Sequence, residues 1–301
     1  MNSSAAAPAA ETSVALIETD EQTAWRIAEA ASESSAVDNV AVSLTDIGAG
    51  RWRLAIHMRA APDQAVARAL LAAAAGDAAA KTLRFERLAA KDWVRESIAG
   101  LPPVAAGRFI VHGAHDRGRV APNRIGIEIE AALAFGTGHH GTTRGCLLAL
   151  DALIKPLSKQ SRRQTILDLG TGSGVLAIAA ARALRRRVIA TDIDASVVGV
   201  ARENARLNRT APLIEIVRAD GVAALSVRRR APFDLVFANI LLGPLKRIAA
   251  PLARLTAPGA RIVLSGLLPP QANAALAAYR GFALERRIAL EGWTTLVLQR
   301  R

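Results

Sequence analysis

The chain has 301 residues, half of them hydrophobic (51%), and carries a formal charge of +13 at pH 7. That length exceeds the ~100–200 residues of an ordinary domain, so two domains are expected, and an apolar fraction dominated by Ala, Leu, Ile and Val favours helices on a parallel sheet. The lone cysteine, Cys146, excludes an internal disulfide; no signal peptide opens the chain and no apolar run reaches the ~20 residues that span a bilayer, so a cytoplasmic protein without membrane contact is expected.

Taken in order, residues 1–11 read as a disordered Ser/Ala/Pro start. Ser13 to Glu18 alternates as a strand, and Glu21 to Ser32 reads as a helix with Trp25, Ile27 and Ala28 at helical spacing. Val40 to Leu44 and Trp52 to Met58 are strands joined by a turn at Gly48-Ala49-Gly50. Pro62 to Ala75 is a second helix and Lys81 to Leu88 a fourth strand. This β-α-β-β-α-β order predicts a small ferredoxin-like domain over residues 1–95, with a sheet face suited to docking. Asp92 to Ile98 reads as a short helix that Gly100-Leu101-Pro102-Pro103 breaks. Phe109 to His112 and Arg124 to Ile129 look like a hairpin.

Residues 96–301 form the second expected domain. Strands at Thr165 to Leu169, Val188 to Asp192, Leu213 to Arg218, Phe233 to Ala238 and Arg261 to Ser265 alternate with helices at Val175 to Leu184, Ala195 to Leu207, Leu245 to Leu255 and Gln271 to Tyr279. Short loops between such elements predict an α/β, Rossmann-like doubly wound sheet. Phe282 to Ala289 and Thr294 to Gln299 close it as an antiparallel pair. The arginine triplets at residues 185–187 and 228–230 fall at expected helix and loop ends. They come without aromatic interleaving or zinc spacing, so they read as solvated surface rather than a specific nucleic-acid site.

Chemistry concentrates in four places. The first is Asp168-Leu169-Gly170-Thr171-Gly172-Ser173-Gly174, a glycine-rich strand-to-helix turn that lets backbone amides approach a ligand. Its G-x-G-x-G spacing departs from the G-x-G-x-x-G of dinucleotide folds, since position 175 is Val. An acid at Asp168 would repel a pyrophosphate but suits the ammonium of S-adenosylmethionine. The second is Asp192, placed at a strand end to accept ribose hydroxyls; Asp194 reads as a helix cap. The third is Asn239-Ile240, where a side-chain or backbone carbonyl could hold an attacking amine. The fourth is Ala134 to Thr143, a glycine-rich loop that reads as a lid, with Thr142 and Thr143 capping the helix Arg144 to Ala152. His139 and His140 lack further ligands, so no metal site is expected.

Together these segments, with Glu203-Asn204-Ala205, Gly243-Pro244 and Leu264-Ser265-Gly266-Leu267-Leu268, resemble the ribosomal protein L11 methyltransferase family of class I methyltransferases, from about Asp92 onward. The resemblance implies S-adenosylmethionine as cofactor, contacted by Thr143, Gly170, Asp192 and Asn239, with Phe135 packed beside it. Asp168 and Gly172 are expected to join that site from the turn's own chemistry. The resemblance also implies lysine amines, and the N-terminal amine, of ribosomal protein L11 as methyl acceptors; a lysine of another protein or a small molecule is the alternative acceptor. The Asn239 side chain and the Ile240 carbonyl are the candidates for holding the nucleophile. The amino-terminal domain would then recognise the ribosomal protein. Gly141 stands where the family commonly has Pro, which implies a more flexible loop.

Overall fold

The computed structural model describes residues 12–33, 41–58, 64–88, 103–129, 141–158 and 165–301. The expected amino-terminal disorder, the boundaries at Val40 and Pro62, the helix Asp92 to Ile98 and the loop from Ala134 through Phe135 to His140 lie outside the described residues. The chain divides into two units, Met1–Glu96 and Ser97–Arg301.

In the first unit, strand β1 (Thr12–Asp20) leads into helix α1 (Glu21–Glu33), strands β2 (Ala41–Gly48) and β3 (Arg51–Met58), helices α2 (Gln64–Ala75) and α3 (Asp77–Lys81), and strand β4 (Arg84–Leu88). The sheet order is β2-β3-β1-β4 with every neighbour antiparallel, the ferredoxin-like arrangement. Asp20 starts α1 by accepting from the Thr23 amide at 2.9 Å. Ala24, Ile27, Ala28 and Ala31 form the buried stripe of α1 at i, i+3, i+4, i+7 spacing; Ile27 and Ala28 were expected there, whereas Trp25 is only half-buried at its edge. Alternate residues of the central strands, Ala15 and Ile17 with Leu54, Ile56 and Met58, are buried too. The fourth strand begins at Arg84 rather than Lys81, because Gly76 (φ +86°) ends α2 and a further helical turn, α3, takes the Ala-rich residues that follow.

The second unit opens with a small sheet of β5 (Val104–Ala106), β6 (Phe109–His112) and β7 (Ile125–Glu128). The expected hairpin between the last two is corrected: β6 and β7 run parallel. The residues between them hold a 3-10 helix (Ala114–Arg119), enough chain for the crossover that a parallel pair requires. The real hairpin is β5–β6, turned at Gly107 (φ +58°), and its first strand is too short to show periodicity.

Then follow α4 (Gly141–Ser158), β8 (Thr165–Leu169), α5 (Val175–Leu184), β9 (Arg187–Asp192), α6 (Ala195–Leu207), β10 (Ile214–Arg218), α7 (Leu225–Arg228), β11 (Phe233–Asn239), α8 (Leu242–Leu255), β12 (Thr256–Leu267), α9 (Gln271–Ala278), β13 (Phe282–Leu290) and β14 (Trp293–Arg300). They build a seven-stranded sheet of order β10-β9-β8-β11-β12-β14-β13. Strands β10, β9, β8, β11 and β12 are mutually parallel, and β14 is antiparallel to both neighbours. The chain reverses its winding between β8 and β11, and ligand sites of open α/β sheets form at such a switch point, beyond the carboxyl ends of the strands.

Two apolar layers hold the sheet. Ile166, Val188, Leu235, Phe237 and Val263 join the core with α4, α5 and α6, whereas Leu167, Leu169, Val236, Ala238 and Leu264 join the opposite core with α8 and α9. Continuous apolar strands follow from burial on both faces. Each fully buried Leu, Ile or Phe here contributes ~1.5–3 kcal/mol relative to exposure.

Candidate active site

The carboxyl ends of β8, β9, β11 and β12 bring the expected residues to one edge. After β8 the chain turns through Gly170 (φ +65°), Gly172 (φ +56°) and Gly174 (φ +84°) before α5 begins. These left-handed conformations are costly for residues with a Cβ. Gly170 is also needed for space, since a Cβ there would stand 2.5 Å from Ile240 Cγ2.

Asp168 is buried (1% exposed) on the α5 side of β8. Its Oδ2 accepts from Thr171 Oγ1 at 2.6 Å and from the Ala177 amide at 3.1 Å, so the side chain ties the turn to α5. Burial raises its carboxyl to about 6, against an ordinary 3.8, with the two hydrogen bonds opposing the rise and the Asp192 charge adding to it.

Asp192 ends β9 half-buried. Its Oδ2 accepts from the Gly172 amide and its Oδ1 from the Asp194 amide, each at 3.1 Å. Both oxygens keep further lone-pair capacity, which is what two vicinal hydroxyls need. Asp194 caps α6, accepting from the Ser196 amide at 2.8 Å.

Asn239 closes β11. Its Nδ2 donates to Thr142 Oγ1 at 3.4 Å, while its Oδ1 is buried and unpartnered among the described residues. Thr143 Oγ1, in the first turn of α4, is likewise buried and unpartnered. Buried polar atoms without partners are rare in native folds and mark a place for a ligand's polar groups. The Ile240 carbonyl lies directly over Gly266: a Cβ there would sit 2.6 Å from it.

One expectation changes. Helix α4 starts at Gly141, before the threonines, so Thr142 and Thr143 lie inside its first turn rather than at a cap. Gly141 also has a packing reason, because a Cβ there would stand 2.8 Å from the Leu290 carbonyl and 3.1 Å from Trp293. Phe135 lies outside the described residues.

Three residues escaped sequence reasoning as parts of this edge. Asn204 on α6 donates to the Ser173 carbonyl at 2.8 Å and so pins the glycine turn from behind. Thr142 meets Asn239. Ser265, in register with Asn239 across β11 and β12, binds the first turn of α4. Asn204 and Ser265 stood within the family-like segments, but nothing in their spacing indicated a task. Among the described residues no cluster of three or more His, Cys, Asp and Glu could hold a metal ion.

The glycine turn, the paired acids and the two unpartnered hydrogen-bonding atoms fit a nucleoside carrying an amino-acid tail better than a dinucleotide. The reversed β14 between β12 and β13 is likewise unlike a wholly parallel dinucleotide sheet. Comparison with known proteins agrees. The family model described as Ribosomal protein L11 methyltransferase (PrmA) matches residues 4–301. The chain belongs to the ribosomal protein L11 methyltransferase family.

A ribosomal protein L11 methyltransferase of Rhodopseudomonas palustris is 50% identical over 291 residues, 96% of this chain and 97% of that protein. The one from Bradyrhizobium diazoefficiens is 52% identical over 282 residues, 93% and 94% of the two chains. The crystal structure of a ribosomal protein L11 methylase from Lactobacillus delbrueckii subsp. bulgaricus is 27% identical, with a TM-score of 0.57, covering 67% of this chain and all of that one. The methyltransferase therefore has a class I fold and uses S-adenosylmethionine as methyl donor. No described helix is long and apolar enough to cross a membrane.

Proposed function

We propose that this methyltransferase transfers methyl groups to amino groups of ribosomal protein L11, both lysine side chains and the N-terminal amine. The observation that carries the reading is the buried Asn239 Oδ1 at the switch edge of the sheet, unpartnered among the described residues, in a chain whose relatives of nearly equal length bear that substrate in their name. A cytoplasmic location goes with such a substrate.

S-adenosylmethionine supplies a methyl group made electrophilic by its sulfonium. Asp192 would accept the ribose hydroxyls, and Gly170 and Gly172 let the backbone come close. Asp168, ionised above about pH 6, would favour the ammonium end, and Thr143 Oγ1 would bind a polar atom of the same molecule. A lysine amine, with an ordinary pKa near 10.4, must be neutral to attack. A largely dry site disfavours its charged form. Asn239 Oδ1 accepts a hydrogen bond from the amine and orients its lone pair, while the Ile240 carbonyl offers a second acceptor. Neither group takes up a proton at neutral pH, so the lysine ammonium loses its proton to water before attack, and the product forms as a methylammonium with S-adenosylhomocysteine as the leaving group. Positioning is then the main source of acceleration. Residues 13–88 would recognise the ribosomal protein.

Incubation with labelled methyl donor and purified L11, followed by mass spectrometry, tests the reading. Label is expected on L11 amino groups, and Asn239→Ala should lower kcat by ~100-fold or more. Labelling of a different lysate protein with none on L11 would overturn the substrate assignment.

A further inference from the structure

Beneath the first turn of α4 lies a small polar cluster with no direct part in the reaction described above. Ser265 on β12 is fully buried (0% exposed) and sits beside Asn239 in the parallel register of β11 and β12. Its hydroxyl donates to the Thr142 carbonyl at 3.2 Å and lies 2.8 Å from Thr295 Oγ1 on β14. A hydroxyl has one hydrogen. With that of Ser265 given to the carbonyl, Thr295 donates to the serine oxygen.

The surroundings are shaped around this pair. The β12–β14 register shifts between Leu264 and Leu267, and Gly266 has φ +80°, a bulge of the kind that re-aims a side chain. A Cβ on Gly145 would collide with Thr295 Oγ1, so α4 approaches β14 closely only because that residue is glycine. Cys146, one position on, faces the Ser265 hydroxyl, and burial pushes its thiol up to about 12, so it remains neutral.

Burying two hydroxyls in an apolar core is costly unless they are hydrogen-bonded, and apolar residues of the same size would serve packing alone. What the pair fixes is the Thr142 carbonyl. That residue's own hydroxyl accepts from Asn239, and the next residue, Thr143, carries the buried hydroxyl that is unpartnered among the described residues.

We propose that Ser265, oriented by Thr295, is a positioning residue for methyl transfer: it clamps the first turn of α4 to the β11–β12 edge, so that Thr142 and Thr143 stand in place against Asn239. The proposal rests on the reading of Asn239 as the group that holds the amine. It concerns geometry only, and Ser265 itself touches neither reactant.

The test is a double-mutant cycle in the full-length enzyme, with kcat and KM measured for L11 methylation and melting followed throughout. Ser265→Ala should lower kcat ~10-fold or more while changing KM for L11 less than ~3-fold. In an Asn239→Ala background the same change should cost little further, because the positioned group is gone. Thr295→Val, nearly equal in volume, should reproduce the effect in weaker form, and it takes the place of Ser265→Ala if that variant fails to fold. Additive losses in an enzyme that Asn239→Ala does impair would overturn the role of Ser265 alone. If Asn239→Ala leaves kcat unchanged, the underlying reading of the site falls, and the proposal with it.

Discussion

Asp168 shows how one residue serves the fold and the site at once. The sequence offered it as an anion for a cationic ligand; the structure also makes it the bracket between the turn and α5. Its carboxyl is raised from 3.8 to about 6, chiefly by desolvation. The folded chain thus holds this proton more tightly than the unfolded chain does. The stabilisation is full below about pH 4 and is lost as pH rises to about 6, a change of ~3 kcal/mol. Urea unfolding of the ligand-free wild type should therefore show a loss of stability across that window that Asp168→Asn lacks. Affinity for S-adenosylmethionine should move oppositely, rising from pH 5 to pH 7 in the wild type, because the ionised form meets the ammonium group. An affinity flat over that range by calorimetry would take Asp168 out of the donor site.

At the scale of elements, α6 is a spine between distant segments. Asn204 on its buried face and its C-cap Asn208, one turn on, are both buried. Asn204 donates to the Ser173 carbonyl, and Asn208 donates to the Glu128 carbonyl at 2.7 Å while accepting from the Glu128 amide at 2.9 Å. The glycine turn and the end of β7 are thereby tied to one helix. Glu128 is also paired with Arg117, which holds its carboxyl below the ordinary value. Asn204→Leu should destabilise the protein by ~1–3 kcal/mol in urea. It should also weaken S-adenosylhomocysteine binding by ~5-fold or more, as the turn loses its backing. Unchanged binding in a destabilised variant would mean that the bond serves the fold alone. The sequence showed α6 and its ends correctly, since apolar spacing and the Asp194 cap are local signals. It could not show which backbone groups the two asparagines meet, because Glu128 and Ser173 are far away along the chain.

For the whole molecule, two units with separate cores imply separable tasks. The first unit buries its own apolar set around Ile27, Leu54 and Leu71, and the second is built around the seven-stranded sheet. Residues 97–301 alone should bind S-adenosylhomocysteine within ~3-fold of the full chain yet methylate L11 at least ~100-fold more slowly. Calorimetry and a labelling assay read the two effects separately, and full L11 activity in the fragment would assign recognition to the second unit.

Sequence by itself determined the element types, the glycine turn, the two strand-end acids and Asn239. These follow from periodicity of period 2 or 3.6, from glycine chemistry and from position relative to a strand end, all of which are local. Its errors fell at Lys81, where an Ala-rich helical turn was read as strand, and where pairing is non-local: β6 and β7 run parallel across a crossover, and the three-residue β5 has no readable pattern. Only the tertiary structure decided what faces Asn239. Thr142, Ser265 and Thr295 come from α4, β12 and β14, and their hydroxyls acquire partners only when the sheet brings these segments together. Gly141 makes the same point: its reason lies in the Leu290 carbonyl, 149 positions along the chain, where no local rule could place it.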